Sequence, residues 1–201
     1  MTLLQKNTKG FTLMELVLCI AISTLIILTV SQFFIAASSQ STQLESTLDT
    51  EFAARRFVAE ITEEIKRITS GATGEAALTT ASENRLTFYY LQKPHTFPKK
   101  IQYERENHIL RKIITPYDQN TNSYNEAGAV ETVLFTTLND EHAQTGLFSF
   151  YSAGQSVYTD NPLEEPIDIA QISLITVTLI VESKNMSNPK PKTYQTFVQL
   201  P

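Results

Sequence analysis

The sequence is short of cysteine, histidine and basic clusters, and each shortage excludes a class of function. Its single cysteine, Cys19, has no partner for a disulfide bridge within the chain. We interpret it as a small apolar helix residue. The formal net charge is −5, and an acidic chain without a Lys or Arg cluster has no electrostatic reason to bind a phosphate backbone. We therefore predict no nucleic-acid contact.

Signatures of catalysis are also missing. The sequence has no Gly-x-Ser-x-Gly motif, phosphate loop or dinucleotide fingerprint. The adjacent acids Glu63-Glu64 and Glu164-Glu165 diverge on a helix or a strand, so they form no acid/base pair. The histidines are scattered, without a second ligand at metal-binding spacing: His95, His108 and His142. We predict that the protein is not an enzyme and has no catalytic residues.

One segment has oxygen-bearing side chains at the spacing found at the start of a calcium-binding loop. Asp118, Asn120 and Asn122 alternate as the first ligands of such a loop do. However, the sixth position is Ser123 instead of glycine, and the twelfth is Ala129 instead of glutamate. An Asn-rich turn is the favoured interpretation. Calcium is the only cofactor that we consider, with Asp118, Asn120 and Asn122 as its candidate ligands.

Charge is nearly absent from one long stretch near the amino terminus. Between Phe11 and Val30, Glu15 is the only charged residue in twenty positions. Twenty helical residues cover about 30 Å, the thickness of the hydrocarbon core of a bilayer. Two lysines in the first ten residues place that end in the cytoplasm by the positive-inside rule. We predict a single membrane span over residues 11–35, with the remaining chain exported.

Three interpretations of this segment compete. An ordinary secretory signal would be cut after the apolar core, and Ile35-Ala36-Ala37 resembles such a site. A signal anchor would stay uncut. Neither explains why Glu15 stands five residues after Gly10, at the start of the span. A carboxylate within a membrane costs a few kcal/mol unless it is paired, and such residues are functional by default.

The third interpretation is a family resemblance. The segment KGFTLMEL, residues 9–16, resembles the class III signal of type IV prepilins and type II secretion pseudopilins. That signal is a basic leader ending in glycine, then Phe, three mostly apolar or small residues, Glu, and an apolar helix. The resemblance implies that residues 1–10 are a leader peptide. A prepilin peptidase would cut between Gly10 and Phe11, and Phe11 would become N-methylated.

The resemblance also implies a role for Glu15 in assembly. This residue lies four positions after Phe11, about 6 Å along a helix. In the family, the acid attracts the positive amine of a neighbouring subunit. Opposite charges 4 Å apart gain about 4 kcal/mol at an effective dielectric constant of 20, which would offset desolvation. The alternative is that Glu15 only complements the helix dipole.

A second helical pattern follows the span. Residues 11–70 contain no proline or glycine, so we predict one long helix, amphipathic over residues 36–70. Ser38–Ser41 is its expected weak point, and Gly71 and Gly74 are expected to end it. A coiled coil is the alternative. The apolar stripe expected to pack on a downstream sheet comprises Leu44, Leu48, Phe52, Phe57, Val58, Ile61, Ile65 and Ile68.

After residue 80 the apolar pattern alternates as in half-buried strands. Two of the predicted strands form a hairpin around Glu106-Asn107, and loops are expected at Asp118–Gly128 and Asp160–Pro166. The predicted fold is α+β: a long N-terminal helix, membrane-spanning in its first half, packed on an antiparallel β-sheet head at residues 71–201. This layout resembles the ladle-like fold of pilins. The predicted strands are Arg85–Leu91, Lys99–Tyr103, Ile109–Ile114, Val130–Leu138, Leu147–Tyr151, Ile172–Glu182 and Thr193–Leu200.

The order of helix and strands is similar to J-type minor pseudopilins of type II secretion and W-type minor pilins. This implies a minor subunit near the tip of a pseudopilus or type IV pilus. The expected partners are a prepilin peptidase, other minor and major pilins or pseudopilins, and the bacterial inner membrane. The head would lie in the periplasm or outside. The alternative is a secreted or membrane-anchored enzyme or ligand-binding domain with an ordinary signal sequence.

Overall fold

The computed structural model describes residues 12–92, 94–136, 138, 146–182 and 191–201. The chain divides into two compact units between Glu45 and Ser46. Helix α1 (Leu13–Lys66) runs from the first unit into the second. The second unit contains the antiparallel sheets, on which the end of α1 packs. The predicted α+β, pilin-like fold is confirmed.

In the first unit, α1 is an uninterrupted helix with an exposed apolar surface. Its large apolar side chains from Leu13 to Ile35 are all more than half exposed. The expected weak point at Ser38–Ser41 is helical throughout. There the hydroxyl of Thr42 donates to the carbonyl oxygen of Ser38 at 3.1 Å, as a back-bonding helix residue does.

In the second unit, the sheets bury only the later part of the predicted stripe. Phe57, Ile61 and Ile65 are at most 4% exposed. Phe52, in contrast, is 66% exposed. The expectation that the whole stripe packs on the sheet is therefore wrong for Leu48 and Phe52 of this unit, which are 43% and 66% exposed. Burial begins at Ala54, where the sheets reach the helix.

The helix ends because the chain enters the sheet, before the predicted glycines. Past Lys66, Ile68 forms a bridge with Tyr90, and the Thr69 amide donates to the Tyr89 carbonyl at 3.0 Å. These pairings divert the backbone from the helical path. Gly74 instead serves a turn in which its φ is +91°, a conformation that favours glycine.

Three antiparallel sheets follow the helix in the described part of the chain. The first has five strands in the order β1-β2-β3-β4-β7, the second has three in the order β10-β9-β8, and β5 and β6 form a small hairpin. The strands are β1 (Leu78–Ser82), β2 (Arg85–Tyr90), β3 (Lys99–Glu106), β4 (Ile109–Thr115), β5 (Tyr117–Asp118), β6 (Ser123–Tyr124), β7 (Val130–Phe135), β8 (Phe148–Ser152), β9 (Ile172–Val181) and β10 (Lys192–Gln199).

The predicted hairpin is formed by β3 and β4. Glu106 pairs with Ile109, and Asn107 takes a φ of +53° in the intervening turn. Asparagine tolerates this left-handed conformation better than most residues. The sequence did not predict β1, because LTTAS lacks a clear apolar alternation. The short strand β6 lies inside the predicted loop Asp118–Gly128, and β5 ends at the first residue of that loop.

The core of the second unit lies between α1 and the two larger sheets. Ile175, Val177, Leu179 and Val181 share the buried face of β9. Phe57 of α1 meets Tyr103 of β3 edge-to-face at 5.8 Å between ring centroids. This packing brings the polar residues of α1 against the face of β3 and β4.

Candidate functional site

Glu15 forms a capping box at the start of α1. The backbone amide and the hydroxyl of Thr12 both donate to Glu15 Oε2 at 3.2 Å. In return, the Glu15 amide donates to Thr12 Oγ1 at 3.3 Å. Since α1 begins at Leu13, Thr12 is the N-cap and Glu15 the third helical residue, the arrangement of a capping box. The Thr-x-x-Glu spacing in the sequence is the pattern of a capping box, although the sequence analysis did not predict one.

The carboxylate is thus fixed at the end of the helix where subunit contacts were predicted. Its bonds to Thr12 satisfy amides that a helix start leaves without partners. They also hold the negative charge at the positive end of the helix dipole. Gly10 and Phe11, between which cleavage is predicted, lie outside the described residues.

The following apolar stretch meets the physical requirements of a membrane span. In the described part of the chain, α1 is the one helix long and apolar enough to cross a membrane. Two of its hydroxyl groups donate hydrogen bonds to backbone carbonyl oxygens of the same helix: Thr24 to Ile20 O at 2.8 Å and Thr29 to Ile26 O at 2.8 Å. Back-bonding of this kind lets threonine sit in an apolar environment. The single N-terminal apolar helix indicates membrane anchoring.

The second unit contains a buried ionic cluster that sequence analysis missed. Lys112 Nζ of β4 donates to Glu60 Oε1 at 2.5 Å and to Glu64 Oε1 at 2.6 Å, both on α1. The hydroxyl of Tyr103 donates to the other Glu64 oxygen at 2.6 Å. The side chains of Lys112 and Glu64 are only 7% and 10% exposed. The cluster therefore connects the helix to two strands through charge-assisted hydrogen bonds.

The pKa shifts in this cluster follow from burial and from the bonds between one ammonium and two carboxylates. Burial raises the pKa of Glu64, and the bonds from Lys112 and Tyr103 offset this only in part. Burial by itself would lower the pKa of Lys112, but its bonds and charge attraction to Glu60 and Glu64 outweigh burial and raise it. Burial, together with the charge of Glu64, also raises the pKa of Tyr103. At neutral pH the lysine is therefore firmly cationic.

A sequence signal for this cluster did exist. Lys112 lies between Leu110 and Ile114 in alternation, so it shares their face of β4. Glu64 lies between the stripe residues Ile61 and Ile65 on the helix. The sequence pattern assigned no partner to either charge. Only the pairing of the helix with the sheet shows that they meet.

Two further polar contacts join α1 to β10. Lys192 Nζ is paired with the carboxylate of Glu51. The hydroxyls of Thr62 and Thr196 are 3.3 Å apart. The helix is therefore bonded to both larger sheets, with the ionic cluster on the β3–β4 side and these contacts on the β10 side.

The predicted calcium residues lie in the turn between β5 and β6. Asp118 Oδ1 accepts from the Asn120 amide at 2.9 Å, and Asn122 Oδ1 accepts from the Tyr117 hydroxyl at 2.5 Å. These bonds give two of the three side chains a role in the turn itself. Calcium binding by Asp118, Asn120 and Asn122 stays a prediction.

No other cluster of metal ligands is found where the structure describes the chain. Among the described residues, no three His, Cys, Asp or Glu side chains are close enough to hold a metal ion. The Nδ1 atom of His108 is 3.3 Å from the Leu138 carbonyl oxygen, a contact that holds the turn after β3. His142 lies outside the described residues.

Comparison with known families finds a match at the amino terminus. A family described as "Prokaryotic N-terminal methylation motif" matches residues 5–31. This range includes Gly10, Phe11 and Glu15 and overlaps the exposed apolar part of α1. The match supports a type IV pilin-like protein, and its motif implies processing by a prepilin peptidase and assembly with other pilins. Comparison with curated proteins found no match.

Proposed function

We propose that the chain is a minor pseudopilin or minor pilin, which assembles near the tip of a type II secretion pseudopilus or type IV pilus. Its work would be interaction rather than catalysis. The observation that carries this proposal is the methylation motif at residues 5–31 together with the exposed apolar helix that continues from it. A secretory signal would be discarded, whereas this helix is one continuous element with the part that packs on the sheets.

The proposed assembly step uses the start of α1. Cleavage after Gly10 would create a positive amine at Phe11, next to the capping box. The Glu15 carboxylate of one subunit would pair with that amine on a neighbouring subunit and thereby set the register of adjacent helices. The apolar side chains of residues 13–35 would supply the remaining contact area. The presence of Glu15 favours a position below another subunit.

The mature amino terminus separates this proposal from the alternative. Mass spectrometry of the membrane-extracted protein should find N-methyl-Phe11. A terminus at Ser38 or Met1 would instead support an exported or anchored domain with an ordinary signal. The alternative also needs an active or ligand-binding site, and no observation among the described residues favours one.

The role of Glu15 is tested by substitutions that separate charge from capping. Glu15→Gln keeps a side chain that can complete the capping box but loses the charge. Incorporation into filaments should fall by more than about tenfold, because the charge attraction of about 4 kcal/mol is lost. Incorporation is measured as the share of the protein in sheared filaments relative to the membrane.

Thr12→Val is the matched control. It removes the capping hydroxyl, at a cost of about 1 kcal/mol, and keeps the Glu15 charge. Membrane insertion should be normal in both variants, and Thr12→Val should still assemble. If Glu15→Gln assembles normally while Thr12→Val does not, the carboxylate serves helix capping and the pairing role is refuted.

A further inference from the structure

Strand β7 forms an open edge of the five-stranded sheet. In the strand order β1-β2-β3-β4-β7 it pairs only with β4 among the described strands. At the opposite edge, β1 is contacted by the 3-10 turn Ile169–Gln171. Natural edge strands often carry charges, proline or bulges that discourage further pairing. The sequence of β7, VETVLF, has no lysine or proline, although it carries Glu131 and its pairing with β4 is irregular between Leu110 and Arg111.

Apolar side chains are exposed on both faces of β7. Val130 is 59% exposed and Val133 is 50% exposed. Directly paired residues share a face of the sheet. Val130 pairs with Ile114 and so lies on the side facing α1, whereas Val133 pairs with Arg111 and lies on the other side. An added strand would cover both valines.

A cavity of about 400 Å³ lies between α1 and this edge. Its apolar lining includes Ala53 and Phe57 from α1 and Leu134 and Phe135 from β7. Phe57 and Phe135 meet edge-to-face, with 5.9 Å between ring centroids. Alternate side chains of a strand added beside β7 would point toward the helix, and therefore into this cavity.

One cation of the cavity is available to an acidic occupant. Glu60 and Lys112 line the cavity, but Lys112 already pairs with both Glu60 and Glu64. Arg56 lines it as well, and its exposed guanidinium forms no ion pair with any described residue. A carboxylate on the incoming segment would pair with it. A second copy of β7 offers only one acid, Glu131, which would first have to leave its contact with Arg111 at 3.3 Å.

We propose that β7 and the adjoining cavity dock an extended segment of a different protein subunit. The segment pairs with β7 as a sixth strand, directs an apolar side chain onto Phe57 and Phe135, and directs an acidic one to Arg56. Main-chain hydrogen bonds provide the affinity, and the cavity provides the specificity for the partner. The inference rests on the proposed function only in taking the partner to be another subunit of the same assembly.

Site-specific photo-cross-linking in the full-length chain tests the proposal. A photoreactive residue replaces Val130 or Val133 in cells that express the native assembly. Thr193, an exposed residue on the edge strand β10, is the control position. We expect an adduct from both β7 positions and none from Thr193. Mass spectrometry should locate the adduct in an extended segment with alternating apolar and acidic residues.

Charge reversal then tests the role of Arg56. Arg56→Glu should reduce the adduct by about tenfold, Arg56→Lys should largely retain it, and reversing the partner's acid to lysine should restore it in Arg56→Glu. No adduct from β7, an adduct with a second copy of the chain, or an adduct unaffected by Arg56→Glu would overturn the proposal. The amino terminus is sequenced in the same samples. An unprocessed terminus would refute the proposed function, while the adduct reports on the docking site independently.

Discussion

At the residue scale, Lys112 has the most demanding environment among the charged side chains that the structure describes. Its ammonium lies between two carboxylates of α1 and is almost fully removed from water. A buried charge without a partner costs several kcal/mol, whereas a complete set of partners roughly balances the cost of desolvation. The main effect of the cluster is therefore on specificity: it favours one rotation of α1 against β3 and β4, because another rotation would leave the charges unpaired.

Lys112→Met should destabilise the second unit strongly. The substitution leaves Glu64 buried without its cation, so we expect a loss of about 3–5 kcal/mol in the free energy of unfolding. Adding Glu60→Gln and Glu64→Leu to this variant should recover most of the loss. The measurement is chemical denaturation of the detergent-solubilised chain, followed by tyrosine fluorescence.

Lys100→Met is the matched control for that experiment. Lys100 Nζ pairs with Glu126 at 2.9 Å, but the Glu126 side chain is 69% exposed. Such surface pairs contribute about 0–1 kcal/mol. Equal losses of unfolding free energy in Lys100→Met and Lys112→Met would contradict the claim that burial makes the Lys112 cluster more important than a surface pair.

At the scale of elements, α1 separates folding from interaction along a single helix. Phe57 is 4% exposed in the core, whereas Phe52, five residues earlier, is 66% exposed. Both belong to the apolar stripe predicted from the sequence. The exposed part of the stripe does not stabilise the head, so its apolar character is explained by contacts with other helices in the proposed assembly.

Phe57→Ala and Phe52→Ala should therefore affect different properties: the first the folding stability, the second the incorporation into filaments. Phe57→Ala creates a cavity in the core and should cost about 3–5 kcal/mol of unfolding free energy. Phe52→Ala should change that free energy by less than about 0.5 kcal/mol, while reducing incorporation into filaments. Denaturation curves and filament fractions from the same preparations give both quantities. A stability loss from Phe52→Ala would show that its ring packs on the head.

The sequence could predict the features that depend on local patterns, but not those that depend on contacts between distant segments. Helix and strand periodicity predicted α1, the β3–β4 hairpin and the strand β9, because these patterns are local. It did not reveal that Leu48 and Phe52 stay exposed, since burial depends on where the sheets meet the helix. The Lys112 cluster joins residues 48 and 52 positions apart, and no local pattern contains that pairing. The capping box at Glu15 was local and predictable from Thr-x-x-Glu.

At the scale of the whole molecule, buried phenols and the Lys112 ammonium make folding stability fall at alkaline pH. Burial, with the charges of Glu75, Tyr124 and Glu126, raises the pKa of Tyr89 to about 12. The pKa of Tyr103 and that of Lys112 are also raised. Each of these groups keeps its proton in the folded protein at a pH where the unfolded chain has lost it. The contribution of these three groups to folding stability is therefore fully present below about pH 10 and falls as the pH rises further.

Between about pH 10 and pH 12 we expect the unfolding free energy to fall by up to about 1.4 kcal/mol per pH unit for each such group. Tyr89→Phe should make this decline shallower, because it removes one group that titrates differently in the two states. Tyr158→Phe is the control, since Tyr158 is 84% exposed. Denaturation curves at a series of pH values, with tyrosinate absorbance recorded in parallel, give the slopes. A wild-type protein whose stability is constant across this range, or a Tyr89→Phe variant with an unchanged slope, would contradict the assigned burial of these phenols.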